Sequence, residues 1–182
     1  MKITKTNIDG LIIIEPEVFK DDRGSFFESW NVKKFKEIGI DDHFVQDNQS
    51  NSSKGILRGL HFQNPPYAQA KLVRVIRGSV LDVAVDLRSN SSTYGKHYSI
   101  VLSDKNFKSF YIPIGFAHGF VALEDNTIFS YKCSDMYNKE SEGCLLWNDQ
   151  DLGIDWNINN PIISQKDMQG QHFKDFKSKF ND

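Results

Sequence analysis

Cysteine is scarce in this chain. Of 182 residues only Cys133 and Cys144 are cysteines, too few for a disulfide scaffold. A reduced, cytoplasmic protein is the expectation. Long apolar runs are missing too. The N-terminus holds only Leu11 to Ile14, too short for a signal-peptide core or a membrane span. Excess charge of one sign is absent: the formal net charge is −2. That gives no support for a nucleic-acid partner. Phosphate binding must come from a few placed cations. No GxGxxG or GxxxxGK[ST] loop is present, and no run of βαβ units, so dinucleotide and ATP chemistry are poor fits.

The chain does have length and aromatics. At 20.9 kDa, with 39% hydrophobic and 25% charged residues, it suits a single domain over 1–182 with a sizeable core. Fourteen phenylalanines and three tryptophans offer material for ring stacking or a subunit interface.

Short strands separated by turn residues predict an all-β sandwich or barrel. In KLVRVIRGSVLDVAVDLR, Gly78-Ser79 splits two runs and predicts a hairpin. In the second run Leu81, Val83, Val85 and Leu87 share one face, with Asp82, Asp86 and Arg88 on the other. This alternation predicts a half-buried strand. In the first, Lys71 has the parity of Val73 and Val75 and so points inward. HYSIVLS, KSFYIPI, GFVALE and TIFSYKCS are further strand candidates. Asn31 is placed to cap a short helix carrying Val32, Phe35 and Ile38 on one face and ended by Gly39. The tail from Ser164 to Phe180 has room for one or two more.

The densest chemistry lies in GILRGLHFQNPPYAQAKLVRV, with Arg58, His61, Gln63 and Lys71 near a Pro65-Pro66 turn. YIPIGFAHGF adds His118, SYKCSDMY adds Tyr131 and Tyr137, and ISQKD adds Lys166 and Asp167. Pro113-x-Gly115-x-x-His118 resembles the second motif of the cupins, whose fold is a jelly roll. Their first motif supplies a His-x-His pair for metal. Here it reads His61-Phe62-Gln63, so a ligand is missing and a metal-free cupin is the better reading.

The motifs DDRGSFFESW, FVQDNQSNSSKGILRGLHFQ, QAKLVRVIRGSVLDVAVDLR, YGKHYSIVLS, YIPIGFAHGF, LLWNDQDLGIDW and ISQKD, in order along nearly the whole chain, resemble the dTDP-4-dehydrorhamnose 3,5-epimerase family. The resemblance implies a cupin-type jelly roll with a few short peripheral helices. It implies a cofactor-free isomerase that inverts C3 and C5 of dTDP-4-keto-6-deoxyglucose, on the route to dTDP-L-rhamnose and cell-surface polysaccharide.

It further implies that His61 is the base, Asp167 its orienting partner, Lys71 the enolate stabiliser and Tyr131 the acid across the ring, with Tyr137 lining the pocket. Arg58, His118 and Lys166 would lie near the diphosphate, with Gln46 and Asn48 beside them. Phe19, Arg23, Phe26 and Glu28 would reach the nucleotide from a neighbouring subunit, in a homodimer with exchanged N-terminal strands (about residues 1–30).

The residues alone also allow plainer roles. Tyr131 alternates with Phe129 and Cys133 as a core tyrosine would. Asp167 follows Ser164 at capping-box spacing. Both cysteines read as inert. His97 and Ser92 stand where the family often has Trp and Pro, which predicts packing differences only. Competing functions are a single-centre epimerase or related keto-sugar isomerase, a nucleotide-sugar-binding cupin without turnover, and, most distant, a metal-dependent oxygenase.

Overall fold

The computed structural model describes residues 1–181. Fourteen strands carry the fold: β1 (Lys2–Lys5), β2 (Ile12–Glu15), β3 (Phe19–Asp21), β4 (Gly24–Phe26), β5 (Gln46–Ser52), β6 (Ile56–Gln63), β7 (Lys71–Arg77), β8 (Ser79–Asp86), β9 (His97–Ser103), β10 (Ser109–Ile112), β11 (Phe116–Ala122), β12 (Thr127–Cys133), β13 (Glu142–Cys144) and β14 (Ile162–Ile163). Two sheets face each other, ordered β1-β2-β10-β7-β12-β5 and β13-β6-β11-β8-β9, with β14 parallel to β6. This is the expected jelly roll. Among the described residues, helices are confined to α1 (Val32–Glu37), α2 (Gln165–Met168) and a 3₁₀ turn at Phe173–Asp175. None is long and apolar enough to cross a membrane.

Inward-facing residues of both sheets make the central core. Val73, Val75, Phe110 and Phe129 from the first sheet meet Val80, Ala84, Leu102 and Phe120 from the second. Phe120 and Phe129 stack with centroids 4.1 Å apart. The outer face of the second sheet is not solvated. Leu81, Val83, Val85 and Leu87 pack beneath Leu145, Leu152, Trp156 and Phe180 of the C-terminal stretch. Full burial of each such side chain stabilises by about 1.5–3 kcal/mol before packing losses. On the other flank, α1 and the N-terminal strands bury Ile14, Phe35, Ile40 and Leu72 together.

This layering corrects two expectations. The predicted half-buried strand β8 is buried at every position. It lies between β11 and β9, with its polar face turned into the barrel and its apolar face under the tail. The predicted Gly78 hairpin does not pair with itself. Gly78, at φ +80°, passes the chain from one sheet to the other, because β7 pairs with β10 and β12 while β8 pairs with β11 and β9.

The helix at Asn31 forms as expected: the Asn31 side chain accepts from the Lys33 and Lys34 backbone N–H groups. Only Phe35 of its residues is buried, and Val32 is exposed, so six residues are too few to bury the whole predicted face. Lys71 points inward, as its parity required.

Candidate active site

The open end of the roll holds a cavity of about 620 Å³ between the two sheets. The three cations Arg58, Lys71 and Lys166 line it together with His61, Tyr131 and Asp167. A second hollow of about 340 Å³ continues past His61, Lys71 and Tyr131 to Gln46, Tyr137 and Glu142, so the two form one cleft.

Strand geometry explains how Arg58 and His61 share this cleft. Three positions apart, they would face opposite sides of a regular strand. Opposite β11, however, His61 pairs with His118 and Arg58 with Phe120, so β6 spends one extra residue across that gap. Such a bulge re-aims side chains. It is built at Gly59, which sits at φ +139° with a hypothetical Cβ only 2.5 Å from Gly119 Cα. Only glycine fits there.

His61 and Asp167 form a dyad, Nε2 to Oδ1 at 2.8 Å. The other Asp167 oxygen accepts the Gly59 backbone N–H at 3.2 Å. With Asp167 accepting the Nε2 proton, the His61 Nδ1 lone pair is left as the basic site. Burial pushes the Asp167 pKa up. The His61 hydrogen bond and charge, aided by Gly59 and Ser164, outweigh it and hold the carboxylate below its usual range. The capping-box expectation is half met. Ser164 Oγ accepts the Asp167 N–H at 3.1 Å, while the Asp167 side chain serves His61.

Lys71 opens β7 next to the dyad, its Nζ 3.4 Å from the His61 carbonyl oxygen. Burial lowers its pKa, opposed by charge on Cys133, Asp82 and Glu142. Its ammonium is thus poorly solvated and ready to answer a developing negative charge. Tyr131, on the middle of β12, stands in register between Asn48 and Val73. Burial raises its pKa, so the phenol stays protonated and able to donate.

The other expected residues divide into two groups. Asn48, Arg58, His118 and Lys166 line the main cavity, and Gln46 and Tyr137 the adjoining hollow. Gln46 accepts the Tyr137 backbone N–H at 2.8 Å and donates to Asn48 at 3.1 Å. His118 is buried, with Nε2 2.9 Å from Asp82 Oδ2. Burial drives its pKa down, so it offers a neutral ring and not a charge.

Phe19, Arg23 and Phe26 gather instead around a separate hollow on the β3–β4 hairpin. Glu28 bonds Lys34 and Asn31 at the start of α1. None of these four lines the chain's own cleft.

Two participants, Asp82 and Glu142, escaped the sequence reading. Asp82, fully buried, holds His118; its only signal was a polar parity on β8, which read as solvated. Glu142 accepts from Tyr137 at 3.0 Å and pairs with Lys166 at 2.5 Å, fixing both at the rim. Cys144 lies opposite His61 on β13. Burial, with Asp167 nearby, pushes its thiol up to about 12, so it is inert as a nucleophile. Gln63, in place of a metal-binding histidine, spends its amide on the Tyr67 and Met136 carbonyls and the Asn138 N–H. His97 bonds the Leu152 carbonyl at 3.1 Å, tying β9 to the C-terminal stretch.

Similarity to known proteins extends along nearly the whole chain. Residues 5–175 match the model of the dTDP-4-dehydrorhamnose 3,5-epimerase family. The chain is 53% identical over 169 residues to the enzyme of that name from Methanothermobacter thermautotrophicus, covering 91% of each. A crystal structure of the Elizabethkingia anophelis epimerase superposes with a TM-score of 0.92 at 56% identity, covering 96% of this chain and 97% of that one. The Legionella pneumophila dTDP-6-deoxy-D-glucose-3,5-epimerase, solved in complex with dTDP-4-keto-L-rhamnose, gives 0.93 at 46% identity, covering 97% and 94%. The chain belongs to the dTDP-4-dehydrorhamnose 3,5-epimerase family.

Proposed function

We propose that this protein inverts C3 and C5 of dTDP-4-keto-6-deoxyglucose, giving dTDP-4-keto-L-rhamnose for dTDP-L-rhamnose synthesis. The observation that carries the mechanism is the His61–Asp167 dyad bounding one cavity with Lys71 and Tyr131. A C–H beside a ketone is acidic only if the enolate oxygen is stabilised as it forms. His61 Nδ1 takes the proton, and the Lys71 ammonium faces the C4 oxygen. Tyr131 returns a proton to the opposite face, which inverts the carbon. The steps repeat at the second carbon once His61 has released its proton and Tyr131 has regained one. Asp167 holds the imidazole in the required tautomer and balances its charge. Arg58 and Lys166 bind the diphosphate.

Both sugar carbons should take up deuterium from heavy water, read by proton NMR of the keto sugar. No uptake at either carbon, with dTDP still bound tightly, would leave a binding protein; uptake at one carbon would leave a single-centre epimerase.

The nucleotide end of the site is completed by a second subunit. β1 and β2 pair within the chain's own sheet, whereas β3 and β4 pair only with each other and leave Phe19 and Phe26 more than half exposed. This supports a homodimer in which the exchanged segment is the hairpin, carrying Phe19, Arg23 and Phe26 to the partner's cleft for base stacking and phosphate contact. Replacing both phenylalanines by glutamate should give a monomer on a sizing column and weaken dTDP binding. A dimer with unchanged affinity would reject the exchange.

A further inference from the structure

Beside the His61–Asp167 dyad lies a side chain that the epimerisation does not use. Pairing of β13 with β6 sets Cys144 opposite His61, and α2 brings Asp167 to the same point. A ring nitrogen of His61, Sγ of Cys144 and a carboxylate oxygen of Asp167 all lie within 4.8 Å of one another. Among the described residues this is the one group of three such donors. We propose that His61, Cys144 and Asp167 form an inhibitory binding site for a divalent transition metal of borderline softness, with Zn²⁺ the best fit.

The donor set argues for the ion. Zn²⁺ accepts imidazole, thiolate and carboxylate at about 2.0–2.3 Å in a tetrahedron. Such bond lengths put neighbouring donors roughly 3.3–3.8 Å apart, so donors already this close need only small side-chain rotations. Mg²⁺ and Ca²⁺ require mostly oxygen ligands, and one carboxylate does not supply them.

Thiolate and carboxylate together balance the ion's two charges. The nearby Lys166 ammonium is engaged by Glu142. Coordination replaces the weak Cys144 contact to the Leu145 carbonyl, at 3.4 Å, and the His61–Asp167 hydrogen bond. The thiol proton passes to solvent as the Zn–S bond forms. The fourth tetrahedral position is left to a water or a substrate oxygen.

Inhibition follows from either mode of imidazole binding. A metal on Nδ1 consumes the lone pair that would take the sugar proton. A metal on Nε2 replaces the hydrogen bond to Asp167 and leaves the remaining proton on Nδ1, which is then no base. The inhibitory part rests on the reading of His61 as the base. The binding part does not.

The test uses the full chain after chelator treatment. Zn²⁺ alone is titrated by calorimetry, Co²⁺ alone by absorption, and deuterium uptake into the keto sugar is followed beside them. Expected are one Zn²⁺ per chain, a thiolate-to-cobalt charge-transfer band, and loss of uptake that a chelator reverses. Cys144→Ser should keep metal-free activity, lose the band and bind Zn²⁺ at least about tenfold more weakly; His61→Asn should also weaken binding. A Co²⁺ spectrum with no thiolate band, or Cys144→Ser binding Zn²⁺ as tightly as the native chain, overturns the site. Inactive metal-free protein would overturn the catalytic reading instead, and the cobalt spectrum would still judge the site.

Discussion

Lys71 illustrates how the single side chain serves chemistry at a cost to the fold. Its burial disfavours the ammonium. The folded state therefore binds fewer protons than the unfolded chain between the lowered pKa and the ordinary lysine value. Wild-type stability should rise with pH across that window. Lys71→Met removes the buried charge, so it should be more stable at pH 7 by on the order of 1 kcal/mol and show a flatter pH dependence, while kcat falls by about 10²-fold or more. Urea midpoints beside steady-state rates check both halves.

Asp167 has the opposite sign. Its folded pKa is held below the ordinary aspartate value. Its contribution is fully present above that value and lost as pH falls through the folded one. Asp167→Asn should therefore be less stable than the native chain at pH 7 by about 1–3 kcal/mol, and the difference should close in strong acid. Loss of the correct tautomer should lower kcat by about 10²–10⁴-fold. Urea melts at both pH values, with rates at pH 7, check this.

The roles of His61 and Asp167 were not legible from their spacing. They stand 106 positions apart, and only the family resemblance joined them. Asp82 was legible as polar parity but was assigned to solvent, because alternation does not say which face of a strand is covered.

Strands differ in how openly they declare themselves. β9, β10 and β12 are rich in β-branched and aromatic residues between turn signals, and are legible near their observed bounds. β5 was not foreseen: its sequence QDNQSNS is wholly polar, and its inward positions Asn48 and Ser50 line the cavity. A strand that furnishes a polar site looks like a loop. β13 and β14 are three and two residues long, too short for periodicity to register.

The bulge in β6 was equally hidden, since it depends on the partner strand's register. It is also the element most sensitive to a single methyl group. Gly59→Ala combines an unfavourable φ with a clash against the Gly119 backbone. We expect more than about 2 kcal/mol of destabilisation and near-complete loss of turnover. Dye-monitored melting and residual activity report the two effects.

At the level of the whole molecule, the two sheets act as opposed plates. β6 and β11 supply the base and its surroundings, β7 and β12 the ammonium and the phenol. The C-terminal stretch has two tasks. Trp156 and Phe180 seal the outer face of the second sheet, and α2 delivers Asp167 beneath His61. The sequence motifs conveyed this architecture through resemblance, but the layer order came only from pairing.

The account stands on His61 and Tyr131 acting from opposite sides of one sugar ring, and single-residue variants in heavy water separate them. Tyr131→Phe should still let His61 remove and return protons on its own face, so deuterium enters the keto sugar without inversion, while His61→Asn should show neither uptake nor inversion. Uptake by His61→Asn at the native rate, or inverted product from Tyr131→Phe at the native rate, would contradict the account.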